Sequence, residues 1–131
     1  MAETSDYMLL FRGKEWDEGL SDEELERLMD KVIAWHNGLT ARGVVKGGQP
    51  LARLGQAVSA RGSSVQDGPF VETKETVGGY LMVKAASLEE ATEMARGYPA
   101  LHRGVTIEVR SLLDECPVFQ RAKKRVSFAM A

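Results

Sequence analysis

Apolar residues fall along this chain in two rhythms, and the changes from one to the other mark out its elements. Tyr7-Met8-Leu9-Leu10-Phe11 is an unbroken apolar run, which predicts a short strand covered on both faces. After a Gly-containing loop over 12–20, apolar positions recur at 25, 28, 29, 32, 33, 36 and 39 when His36 is counted, the spacing of a helix with one buried stripe. Ser21 followed by Glu24 is the capping-box signature that starts such a helix, and Gly43 supplies a stop. Val44-Val45-Lys46 begins a second strand, which Gly47-Gly48-Gln49-Pro50 is expected to interrupt. Ala57-Val58-Ser59 and Ser64-Val65-Gln66 then read as two short arms around an Arg61-Gly62-Ser63 turn.

The second half repeats the scheme. Gly79 to Lys84 carries the apolar run Tyr80-Leu81-Met82-Val83, a buried strand in which Tyr80, Met82 and Lys84 alternate opposite Leu81 and Val83. Ser87-Leu88-Glu89-Glu90 repeats the capping box and opens a helix to about Gly97, with Leu88, Ala91, Met94 and Ala95 on one side; Tyr98-Pro99 ends it. Val105, Ile107 and Val109 alternate with Thr106, Glu108 and Arg110, a strand with one face inward. The order strand, helix, strand, hairpin, strand, helix, strand gives two βαβ-like halves. It predicts an α+β fold in which an antiparallel sheet carries two helices on one face.

Composition narrows the classes. The 131 residues suit one domain over 1–131, with its core at about 7–110 and a C-terminal extension at 111–131. Apolar residues make up 44% and charged residues 27% of the chain, as in an ordinary globular protein, and the net charge of -2 offers no field suited to nucleic acid. Cys116 is the single cysteine, which rules out a disulfide within one chain and fits a reducing cytoplasm. The acidic start Met1-Ala2-Glu3-Thr4-Ser5-Asp6 is unlike a secretory signal. No apolar run approaches the roughly 20 residues of a membrane span, so no membrane partner is expected. In the extension, Arg121, Lys123, Lys124 and Arg125 put four positive charges in five residues. They admit a phosphate-binding reading, but a solvated tail, helical and docked through Val118 and Phe119, is the commoner outcome.

The most informative stretch is 67–80. Asp67-Gly68-Pro69 is a stiff turn, Phe70 and Val71 are apolar anchors, and Glu72-Thr73-Lys74-Glu75 packs three charges into four residues before Gly78-Gly79 leads into the strand. Asp67-Gly68-Pro69-Phe70, Glu72-Thr73-Lys74-Glu75 and Gly79-Tyr80, in register, resemble the extended signature of the YCII-related, DGPF-domain family. Weaker matches carry the resemblance over about 7–110: Leu9-Leu10, Trp35, Leu39, Gly43, Gly48 and Leu51 before the signature, and Glu90-Ala91, Ala95, Pro99 and Ile107-Glu108-Val109-Arg110 after it. The resemblance implies a ferredoxin-like dimeric α/β barrel, hence a homodimer. It also implies membership of a group whose activities are mostly unassigned, a few resembling lyase-type or dehydrochlorinase enzymes. A His–Asp pair linked to that family uses a histidine early in the first helix; this helix has none there, so the pair does not carry over.

The chain lacks a Walker or Rossmann glycine loop, and His36 and His102 have no metal-ligand spacing, so neither cofactor nor metal is expected. Two readings of the charged residues stand. In one, Asp67, His36 and Lys74 are catalytic: a carboxylate desolvated in a helix–sheet cleft acts as general base while Lys74 or Arg110 steadies a developing anion, and Glu72, Glu75, Trp35 and Arg110 contact a small organic ligand. In the other, the protein is a dimeric binding or regulatory module and the signature charges form a solvated loop. For His36, placed mid-stripe by its spacing, the alternatives are a core-facing imidazole bonded to a carbonyl or a cleft residue.

Overall fold

The computed structural model describes residues 3–13, 15–58, 60, 65–67 (backbone only) and 77–123. Its strands are β1 (Ser5–Arg12), β2 (Val45–Pro50), β3 (Gln56–Val58), β4 (Val65–Asp67), β5 (Val77–Ala85) and β6 (Thr106–Ser111). The helices are α1 (Asp22–Ala41), α2 (Leu88–Arg96) and α3 (Pro117–Arg121), with a 3-10 turn at Leu101–Arg103. β1, β2, β5 and β6 form a four-stranded antiparallel sheet in the order β2-β5-β1-β6, and β3 pairs with β4 in a separate two-stranded ribbon. β1 and β2 each run antiparallel to β5, which lies between them, so β1-α1-β2 is a βαβ unit split by one strand. The chain is therefore α+β with a four-stranded antiparallel sheet, as its element order predicts.

Alternation decides which side of the sheet is covered. Tyr7, Leu9, Leu81, Val83 and Ala85 are buried and pack with Leu39 of α1 and Ala91, Met94 and Ala95 of α2, so both helices cover the same face. Leu9 and Val83 are the largest fully buried side chains. Met8, Leu10, Tyr80 and Met82 point to the other face, which neither helix covers, and cross-strand pairing sets Met8 beside Met82 and Leu10 beside Tyr80. Among the described residues, β1 thus has one face covered by helices, where its unbroken apolar run calls for two.

Both helix starts are written in the sequence, though not identically. At α1 the box closes in both directions: Glu24 N–H donates to Ser21 Oγ and Ser21 N–H donates to Glu24 Oε1, each at 3.1 Å. At α2, Ser87 Oγ accepts from Glu90 N–H, but the Glu90 carboxylate reaches one residue further back, to Ala86 N–H at 3.1 Å. The reciprocal box expected there is therefore half formed. Removing the first cap by Ser21→Ala should cost about 1 kcal/mol in denaturant unfolding. The Ser21 backbone N–H and then its hydroxyl also hold the Glu24 carboxyl below the usual range, so the carboxylate's own share of the cap is present above that range and fades as pH falls through it. A wild-type minus Glu24→Gln difference that stays constant from pH 7 to pH 3 would contradict the assignment.

Two expectations need correction. Gly47-Gly48 does not interrupt β2: the strand runs through it, with a register shift between Val45 and Gly47. An edge strand tolerates both that bulge and the missing N–H of Pro50. The extension does form a helix, α3, but Val118 is 65% exposed, so that side chain docks on nothing described, while Phe119 is half-buried. Residues 124–131, including Lys124 and Arg125, lie outside the described residues.

Candidate functional site

A cavity of about 700 Å³ opens between α1 and the β2–β5 corner of the sheet. Its floor exists because side chains are missing. Gly48 and Gly79 face the helices at a point where β2 and β5 approach closely. A Cβ on Gly48 would sit 2.5 Å from the Tyr80 carbonyl oxygen, and one on Gly79 would sit 3.0 Å from that of Gln49. Across the gap α1 presents Val32, Ile33, Trp35 and His36. The end wall is aromatic, built from Phe11, Trp16 and Tyr98.

Long-range contacts hold this wall. Trp35 Nε1–H donates to the Met94 carbonyl at 2.9 Å, tying α1 to α2. Its ring meets Tyr98 edge-on at a centroid distance of 5.1 Å and Phe11 at 6.2 Å, while Phe11 and Tyr98 lie 5.0 Å apart. Trp16 sits in the loop between β1 and α1, and Arg103 pins that loop from the 3-10 turn through Trp16 O at 2.9 Å and Glu18 O at 2.6 Å. Arg53 adds a contact to Glu15 at 3.1 Å. Burial pushes the Tyr98 phenol above its ordinary range, so it is neutral at physiological pH and able to donate.

The placement of His36 settles one alternative and corrects the helical stripe. His36 is exposed and lines the cavity, and no hydrogen bond to its ring is found among the described residues. The stripe is turned by about one residue: Leu28 and Leu39 are buried and Trp35 is half-buried, whereas Ile33 is 52% exposed. Periodicity gives the relative angles of side chains, about 100° per residue, but not the rotation of the whole helix. Trp35 takes the inward position because its indole finds both a carbonyl and two rings.

Arg110, the other described candidate, is on the far face. β6 alternation puts it with Glu108, to which its Nη1 donates at 2.8 Å, and it does not line the cavity. Arg12 does line it, and its Nε lies 3.3 Å from Glu108 Oε1, a charge contact without hydrogen-bond alignment. The hydrogen bond from Arg110, reinforced by the Arg12 charge, holds the Glu108 carboxyl below its usual range. Asp67 is described by its backbone alone, paired with Gln56. Glu72, Lys74 and Glu75 lie outside the described residues. Sequence reasoning missed Trp16, Tyr98 and Arg12 as wall residues. Gly47-Gly48 and Gly78-Gly79 were the signal available, two side-chain-free pairs in strands that pair with each other. Among the described residues no group of three His, Cys, Asp or Glu side chains could hold a metal, and no helix is long and apolar enough to cross a membrane.

The family model of the YCII-related domain matches residues 6–115. The chain belongs to the YCII-related family. This YCII-family chain is similar to an uncharacterized protein of Rhizobium meliloti (strain 1021), 39% identical over an alignment of 85 residues, with 58% of this chain covered. The chain spans 64% of that relative's length. Among solved structures, the hydroxynitrile lyase from Passiflora edulis aligns over 89% of this YCII-family chain and 100% of its own, at 12% identity and a TM-score of 0.37. That likeness is too distant to bear on activity.

Proposed function

We propose that this YCII-family protein binds a small organic molecule in the cavity between α1 and the sheet, acting as a homodimer joined through the open sheet face. The observation that carries the binding reading is the cavity itself: its volume lies in the range of ligand sites, and an apolar wall with a few polar groups is their usual chemistry. The sheet face that neither α1 nor α2 covers supports the dimer. Met8, Leu10, Tyr80 and Met82 form an apolar centre flanked by Asp6, Lys84, Glu108 and Arg110, and a second copy across a two-fold axis, as in a ferredoxin-like dimeric α/β barrel, would cover it. Sedimentation equilibrium that returns a monomer at every concentration removes this part of the proposal.

The binding experiment is a thermal-shift screen of one- and two-ring aromatic alcohols, amides and acids on the wild type and on Ile33→Trp, whose indole would fill the cavity. A ligand present at 100 times its Kd should add about 2.7 kcal/mol of stability to the wild type, and the variant should show no shift. No saturable stabiliser, or one that acts equally on the variant, defeats the reading.

Catalysis is an extension of this reading rather than part of it. His36 at the rim would serve as the acid–base group, with Asp67 and Lys74 as its partners and Glu72, Glu75 and Trp35 contacting substrate in a lyase-like step. Binding without catalysis, as a regulatory module, is favoured by the absence of any described group that orients the His36 ring. Unchanged ligand affinity in Asp67→Asn, with no turnover detected in the wild type, decides for the module.

A further inference from the structure

The described wall of the cavity contains no Asp, Glu or Lys. Arg12 borders it, but the Arg12 guanidinium meets Glu108 on the opposite face of the sheet. Gln49 pairs with Tyr80, and alternation along β2 and β5 turns both of these side chains to that opposite face as well. His36 stands at the exposed rim. The inner wall is left with three polar groups, the indole N–H of Trp35, that of Trp16 and the hydroxyl of Tyr98. Trp35 already donates to the Met94 carbonyl at 2.9 Å, whereas neither Trp16 Nε1–H nor the Tyr98 hydroxyl has a hydrogen-bond partner among the described residues. The Phe11 and Trp35 rings fix the Tyr98 ring at centroid distances of 5.0 and 5.1 Å, and burial keeps its phenol protonated, hence a donor.

Resting on the binding reading above, we propose that the cavity selects a neutral aryl ketone or ester, its rings lying between Ile33 and the Phe11, Trp16 and Tyr98 wall and its carbonyl oxygen accepting from the Tyr98 hydroxyl. Three arguments choose this class. The wall is aromatic and apolar, so the body of the ligand is a flat ring system that meets ring faces and edges. A plain hydrocarbon of that shape would displace water from the Tyr98 hydroxyl and leave the donor unpaired, whereas a carbonyl replaces the lost bond. An ion fares worse. A carboxylate would leave water for a wall without Lys and with the Arg12 guanidinium turned away, and an organic cation would find no acidic group on the described wall to balance it.

The test is equilibrium dialysis of the full chain at pH 7 with three ligands of one shape: 2-acetonaphthone, its hydrocarbon isostere 2-isopropenylnaphthalene, and 2-naphthoate. The ketone should bind at least about tenfold more tightly than the acid. Tyr98→Phe keeps the ring and removes the donor, so the affinity ratio of ketone to hydrocarbon should fall about tenfold in that variant. Should it not fold, the infrared carbonyl stretch of the ketone bound to the wild type carries the test. A hydrogen-bonded carbonyl absorbs at lower frequency than the same ketone in hexane, and an unshifted band overturns the proposal. If the acid binds as well as the ketone, or Tyr98→Phe leaves the ratio of ketone to hydrocarbon unchanged, while Ile33→Trp still abolishes binding, the ligand class is wrong and the cavity reading survives. If none of the three saturates, both fall together.

Discussion

Replacing Leu9 by alanine will cost about 2–5 kcal/mol of folding stability, the range for emptying a fully buried leucine site. Leu9 has no exposed surface and stands on β1, an interior strand of the sheet, opposite Leu81 on β5 and Val109 on β6. Its neighbours cannot collapse into the void without moving either the sheet or Ala91 and Ala95, which pack α2 closely against it. The adjacent residue gives the contrast. Leu10 is half-buried on the face that neither helix covers, so Leu10→Ala should cost the isolated chain much less while weakening self-association. Urea unfolding at unchanged m-value measures the first effect and sedimentation the second. Equal losses in the two variants would mean that the covered face has been assigned to the wrong side of the sheet.

Gly48→Ala should cost about 1–3 kcal/mol, the penalty of forcing extra volume into a filled space. The added Cβ would lie 2.5 Å from the Tyr80 carbonyl oxygen and 3.0 Å from the Leu81 Cα, and both are backbone atoms that cannot rotate away. Among the described residues β2 pairs with no strand other than β5, so the strain is relieved by prising the edge strand outward. That movement also distorts the floor of the cavity, and ligand binding should weaken with stability. Gly38→Ala is the control: it lies within α1, and a Cβ there meets nothing within 4 Å. It should stabilise the protein by about 0.5–1 kcal/mol through helix propensity. A Gly48→Ala protein as stable as wild type would show that β2 and β5 are farther apart than described.

These variants also separate what the sequence disclosed from what it concealed. The start of α1 was legible because a capping box is a local device whose partners lie three residues apart. β5 was legible because its apolar run and flanking glycines depend on nothing distant. The weaker reading of β2 failed because a glycine pair marks a loop in most chains, and only its pairing with β5 turns it into a strand. His36 was visible as a candidate, yet its exposure rested on Trp35 finding the Met94 carbonyl 59 residues away. The wall formed by Phe11, Trp16 and Tyr98 joins three segments with no shared pattern, so no spacing rule reaches it.

Sequence alone determined the element types and their order, and with the signature at 67–80 it determined the family, since these depend on neighbours along the chain. Tertiary structure decided the rotation of α1, which face of the sheet α1 and α2 cover, and the cavity above the glycine corner. Each of these is a balance among side chains that meet only once the chain has closed on itself.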